Sequence, residues 1–234
     1  MSLTSVQKDL SVLADPVRAA HSLRFFKTGP GEYGEGDKFL GITTPDQRKI
    51  ASKYWDEFSL ASTISLLHGS YHEERFVALI ILTKKFAKST KEEKKAIYQA
   101  YLANTKYINN WDLVDCSAHK IVGQYLLDQP RDILFKLAKS DLLWERRISV
   151  IATFAFIANG VLDDSLKLAI ILLPDKQDLI HKAVGWVLRE VGKKDEKKLT
   201  NFLDQYALEM PRTMLRYAIE KLDEKKKQYY LHLK

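Results

Sequence analysis

The sequence predicts an all-α fold, a right-handed superhelical solenoid of stacked helix pairs formed by residues 1–234 as one domain. Three observations lead there. The chain has 234 residues, 46% of them hydrophobic, enough apolar material for a substantial packed core. It has only ten Gly and six Pro, and six of the Gly lie before residue 70, which leaves too little turn chemistry for a many-stranded sandwich or barrel. From residue 70 onward, Phe76, Leu79, Ile80, Thr83 and Phe86 begin a series of positions spaced as one face of a helix.

The elements follow in order. The first sixteen residues have polar positions at helical intervals and lack a basic stretch followed by an apolar one, so no signal peptide is expected. Gly29–Lys38 reads as an ordered surface loop, because it is rich in Gly and acidic residues and lacks the Gly-Lys-Ser/Thr ending of a phosphate-cradling loop. Pro45 is expected in the first turn of the next helix. Thr90-Lys-Glu-Glu93 is a capping box opening a segment to Lys106, and Asp128-Gln-Pro130 closes one helix before Pro130 starts another. Arg146–Ala158 is apolar enough to be buried on most sides and is stopped by Asn159-Gly160, while Pro174, Gly192 and Pro211 punctuate the remainder.

The apolar stretches Val150–Ala158 and Leu168–Leu173 fall short of the roughly 18 residues a membrane span needs, so no membrane partner is expected. The single cysteine, Cys116, can form no intramolecular disulfide, and no Cys/His spacing of the zinc-site kind is present, which points to the cytoplasm and to no metal. An excess of 37 Lys+Arg over 30 Asp+Glu gives a formal charge of +7, and a basic protein favours polyanionic partners, nucleic acid first. Much of that excess sits in short lysine runs of the kind found at solvated helix ends.

Trp111, Trp144 and Trp186 are separated by 33 and 42 residues, spacings that bracket the two-helix unit of HEAT-like arrays. Each stands beside a charge on its own helical face: Trp111 with Asp115, Trp144 with Arg147, and Trp186 with Lys182 and Arg189. Taken singly, such pairs are core tryptophans with a charge covering the edge. Recurrence at near-repeat spacing gives the second reading, a shared concave groove of indoles, a carboxylate and cations. That combination suits a cationic ring carried on a polyanion, since Arg and Lys take phosphates and an indole face attracts a cation. An alkylated purine in DNA meets both conditions, and Asp115 is then placed to stabilise positive charge developing on the sugar and to position water.

Other constellations are weaker. Asp115 and His119 have the spacing of an acid–base pair, but no nucleophile elbow accompanies them. Cys116 reads as a small buried residue, and Lys182 as a backbone contact ahead of a covalent amine. His68 and His72 are separated by a Gly69-Ser70 turn and make no metal motif.

At these residues the sequence resembles the AlkD family of bacterial DNA alkylation repair enzymes, monofunctional glycosylases built from HEAT-like repeats. The likeness includes FLGITTP at Phe39–Pro45, WDLVD at Trp111–Asp115, WERR at Trp144–Arg147, HKAVGWVLRE at His181–Glu190 and PRTMLRYAIEK at Pro211–Lys221. The resemblance implies hydrolytic excision of 3-methyladenine and 7-methylguanine from duplex DNA without a cofactor, by a monomer on the bacterial nucleoid. It makes Asp115 the catalytic carboxylate and Trp111 and Trp186 the aromatic contacts at the lesion. It makes Arg147, with Arg146 beside it, the backbone-facing arginines, with Lys182, Arg189, Arg212 and Arg216 as further phosphate contacts. Trp144 is expected to be structural. The rival expectation, from another class, is a non-catalytic HEAT-like scaffold that binds DNA junctions or a protein partner.

Overall fold

The structure, a computed structural model, describes residues 3–233. Among these residues the regular structure is helical, apart from an isolated parallel bridge between Lys38 and Tyr71. The chain divides into two compact units, Met1–Ser117 and Ala118–Lys234.

The first unit contains α1 (Leu3–Val12), α2 (Pro16–Phe25), α3 (Thr44–Tyr54), α4 (Leu60–Leu67), α5 (His72–Lys88), α6 (Lys91–Ala103) and most of α7 (Trp111–Ala118). Side-chain oxygens start the helices: Asp15 accepts from the backbone N–H of Val17 and Arg18, Thr43 from Asp46, Ser59 from Ser62 and Thr90 from Glu93. Pro16 and Pro45 lie in the first turns of α2 and α3, where a missing N–H costs nothing. The Thr90–Glu93 capping box is formed as expected, but α6 ends at Ala103 and residues Thr105–Tyr107 make a separate 3-10 turn.

The spacing in α5 suggests one apolar face, yet His72 through Thr83 are all buried. The reason lies in its neighbours, because α1, α3, α4 and α6 all pack against it. Its first turn, His72-Glu73-Glu74-Arg75, is therefore four ionisable side chains inside the unit, a costly arrangement unless each is partnered.

The second unit begins with a π-helical turn, His119–Gly123, and a 3-10 turn, Leu126–Asp128. Then come α8 (Asp132–Leu137), α9 (Leu143–Ile151), α10 (Phe154–Ala158), α11 (Asp163–Leu172), α12 (Asp178–Lys194), α13 (Glu196–Tyr206), α14 (Arg212–Ala218) and α15 (Glu224–Leu231). Pro130 precedes α8 and does not open it. The apolar run Arg146–Ala158 is also not one helix but breaks at Ala152-Thr153 between α9 and α10. The π-helical turn crosses at this break: a Cβ on Gly123 would stand 2.2 Å from the Ala152 carbonyl oxygen, so only glycine permits the approach. Asn159-Gly160 does end α10, with Gly160 at φ 76°.

At the centre of this unit, α12 packs against α9, α10, α11, α13 and α14. Within each unit the helices thus stack mainly on near neighbours in sequence, the packing mode of helical repeat arrays. No helix of the described residues is long and apolar enough to cross a membrane.

Candidate active site

A cleft of about 600 Å³ opens in the first unit, with Trp111, Asp112, Asp115 and Cys116 of α7 along one part of its lining. Arg18 and His21 of α2 line it too, together with Phe25, Phe26, Phe39, the Gly41–Thr44 segment and Arg48 of α3. The i, i+4 spacing of Trp111 and Asp115 places the two on neighbouring turns, and both are half-buried. The Asn110 side-chain oxygen accepts the Trp111 backbone N–H at 2.9 Å and so fixes the start of α7.

The indole does not stand alone. Phe26 stacks on Trp111 with ring centres 5.4 Å apart and planes 23° apart, and Phe25 meets it edge-on at 6.0 Å. Phe25 itself is 57% exposed, so a large apolar side chain faces solvent at the cleft. Behind Phe26 the stack continues to Phe39 at 4.9 Å, and Phe39 in turn packs on the His72 ring at 4.6 Å.

The Phe39–Pro45 segment is held by Glu73. Its carboxylate accepts the backbone N–H groups of Leu40 at 2.9 Å, Gly41 at 2.8 Å and Ile42 at 3.2 Å. Gly41 has φ 79°, and a Cβ there would lie 2.3 Å from the Asp15 carbonyl oxygen, so this turn demands glycine on both counts. Its own carbonyl accepts from Arg18 Nε at 2.8 Å, which ties the Arg18 guanidinium to the cleft wall.

His72 lies between two carboxylates. Nδ1 is 3.0 Å from Asp37 and Nε2 is 2.9 Å from Asp112, while Arg75 donates to the other oxygen of Asp37. Burial opposes the charge on His72, but Asp112 and Asp37 outweigh it and raise its pKa to about 9. Asp37 likewise resists desolvation, and His72 and Arg75 hold its carboxyl below the usual range.

The remaining expected site residues belong to the second unit. Trp186 is half-buried and packs on Phe154 at 4.7 Å. Trp144 is buried in α9, and Arg147 is 4% exposed with Nη1 donating to the Leu179 carbonyl at 2.5 Å. Arg146 pairs with Asp175 at 2.6 Å and Lys182 with Asp178 at 2.7 Å. Arg189 bridges to Glu220 and Glu190, Arg212 is exposed and donates to the Leu231 carbonyl, and Arg216 is exposed.

Several features of the cleft escape a reading of the sequence. Phe25, Phe26, Asp37, His72, Glu73 and Asp112 were not among its expected site residues; the available signal was four ionisable residues in succession, His72–Arg75, heading an apolar helix. The Gly29–Lys38 loop is only partly a surface feature, since Gly34 and Asp37 are buried. Cys116 is half-buried on the cleft lining, where a fully interior position was expected, and its thiol donates to the Leu113 carbonyl. No cluster of three metal-ligating side chains occurs among the described residues.

A family model described as "DNA alkylation repair enzyme" matches residues 6–222. A solved structure titled "Predicted DNA alkylation repair enzyme from Enterococcus faecalis" superposes with a TM-score of 0.73 at 19% identity. The match covers 90% of this chain and 97% of that one. At that identity the likeness concerns the fold alone. No curated protein matches the chain.

Proposed function

The chain belongs to the DNA alkylation repair enzyme family, and from that premise we propose that it is a monofunctional N-glycosylase that excises cationic alkylpurines from duplex DNA. The observation that carries this reading is the shared cleft of Trp111 and Asp115, with Arg18, His21 and Arg48 around it. Alkylation at N3 or N7 puts positive charge on the base, and an indole face attracts such a cation by about 0.5–2 kcal/mol.

When the bond from C1′ to the base nitrogen breaks, its electron pair neutralises the base, which leaves without needing a proton. Positive charge then develops on the sugar. Asp115 stabilises that charge and orients a water, whose oxygen bonds to C1′ while its proton passes to the carboxylate and on to solvent. An abasic site and a neutral free base result, and no cofactor enters the balance.

In this reading Trp186 is a second aromatic contact to the lesion, and the partner is duplex DNA bound by a monomer. Phosphates are contacted by Arg146, Lys182, Arg189, Arg212 and Arg216, whereas Arg147, 4% exposed, would have to leave the Leu179 carbonyl to join them. For Lys182 the exchange of Asp178 for a phosphate costs little, since exposed ion pairs are worth about 0–1 kcal/mol.

The test is chromatography of bases released from methylated duplex. Wild type should liberate 7-methylguanine, and Asp115→Asn should slow release by about 100-fold or more while DNA binding persists. Equal release by both proteins rejects the role of Asp115. Tight binding by wild type with no release at all selects the non-catalytic scaffold instead.

A further inference from the structure

We propose that His72 is a positioning residue of the excision site: by joining Asp37 of the Gly29–Lys38 loop to Asp112 in the first turn of α7, it holds Trp111 and Asp115 in place at the cleft. The inference rests on the glycosylase reading for its catalytic consequence and on geometry for the rest. Asp112 follows Trp111 directly and precedes Asp115 by three residues, so the point at which His72 grips α7 lies between the two groups it would position. The same Asp112 carboxylate accepts the backbone N–H of Leu113 at 2.9 Å, which locks the side chain to the helix it carries.

A second route runs through the ring faces. His72 stacks on Phe39 at 4.6 Å and lies 5.0 Å from Phe26, and Phe26 is the ring on which Trp111 stacks. The imidazole therefore supports α7 through its nitrogens and the indole through its face. An ionised carboxylate can only accept, so two carboxylates on one imidazole require both nitrogens to donate. The doubly protonated ring fits its raised pKa and remains charged at neutral pH.

The far end of the clamp is rigid. Arg75 donates to Asp37 and to the Gly69 carbonyl, and the His72 backbone N–H donates to the Lys38 carbonyl at 2.8 Å. Gly34, against which a Cβ would meet the Phe26 carbonyl oxygen at 2.5 Å, lets the loop close over the residue that underlies Trp111. The charged groups directly on His72 are thus Asp37 from the loop and Asp112 from α7, with Arg75 on its own helix completing the set. His72 belongs to the cleft lining, but its side chain is 3% exposed and both ring nitrogens are taken by Asp37 and Asp112, so its influence on chemistry passes through others.

Two substitutions separate the arms of the clamp. The amide of His72→Gln can mimic the Nε2 donor and still reach Asp112, whereas that of His72→Asn mimics Nδ1 and reaches only Asp37. Single-turnover excision of 7-methylguanine should fall by about 10- to 100-fold in His72→Asn and less in His72→Gln, the loss expected when a reacting group is misplaced. DNA Kd should stay within about 3-fold of wild type, well inside the 1.4 kcal/mol of a tenfold change. Acrylamide quenching of Trp111, identified by difference from Trp111→Phe, should rise in the same order without DNA. If the His72 variants do not fold, Asp112→Ala, which releases the clamp at its more exposed end, should give the same pattern.

Folded variants that keep both the wild-type rate and the wild-type quenching of Trp111 overturn the proposal. So does a rate that falls only in proportion to DNA binding. If wild type releases no base, the glycosylase reading fails by itself, and the quenching order alone decides whether His72 holds Trp111.

Discussion

Replacing Glu73 by Gln is the sharpest probe of the wall that faces α7. In the wild type one oxygen of Glu73 accepts from Gly41 and Ile42 and the other from Leu40, and the side chain is 2% exposed. Glutamine can present its single oxygen to Gly41 and Ile42 but must then turn its NH2 toward the Leu40 N–H, donor against donor. The opposite orientation loses two bonds, so the first is preferred. One buried N–H left unpaired costs about 1–3 kcal/mol, and converting two charge-assisted bonds to neutral ones costs up to about 1 kcal/mol each. The sum is about 3 kcal/mol, which for a chain of this size lowers Tm by about 6–12 °C. Circular dichroism melting measures the total, and hydrogen exchange at the Leu40, Gly41 and Ile42 amides locates it. A Tm within about 2 °C of wild type together with unchanged protection of the Leu40 amide would refute the account of Glu73 as anchor of the Phe39–Pro45 turn.

The raised pKa of His72 fixes the sign of a pH effect: its stabilisation is complete below about 6.5 and is lost as pH rises through about 9. Denaturant titrations should therefore show unfolding free energy declining across that window, by about 3 kcal/mol at 1.36 kcal/mol per unit, and the decline should vanish in His72→Gln. Gly185→Ala puts a Cβ 2.5 Å from the Met214 carbonyl oxygen and 2.5 Å from Tyr217 Cβ, so α12 and α14 must move apart. That should cost about 1–3 kcal/mol by thermal melting, and an unchanged Tm would contradict the close approach. Arg216→Ala, which removes an exposed guanidinium, should reduce the slope of log K against log salt by about 0.9, one phosphate contact; an unaltered slope removes Arg216 from the DNA contacts.

The all-helical class was legible because it depends on local periodicity and on the scarcity of turn residues. The capping box at Thr90–Glu93, Pro45 in the first turn of α3 and the stop at Gly160 are equally local, and each forms as the sequence states. The i, i+4 relation of Trp111 and Asp115 needed nothing beyond the pitch of a helix. Local rules fail where one segment is shaped by another. The apolar stretch Arg146–Ala158 carries no breaker, yet it breaks at Ala152 where Gly123 crosses it.

What the chain determines by itself is therefore which segments are helical and which side chains share a helix. Tertiary structure decides which charges come to lie inside. His72 and Asp112 are 40 residues apart and His72 and Asp37 are 35 apart, and nothing in residue spacing announces that three such groups meet in the interior. Only the packed unit supplies the low-dielectric surroundings in which each must find a partner, and so only it shows why the first turn of α5 is polar.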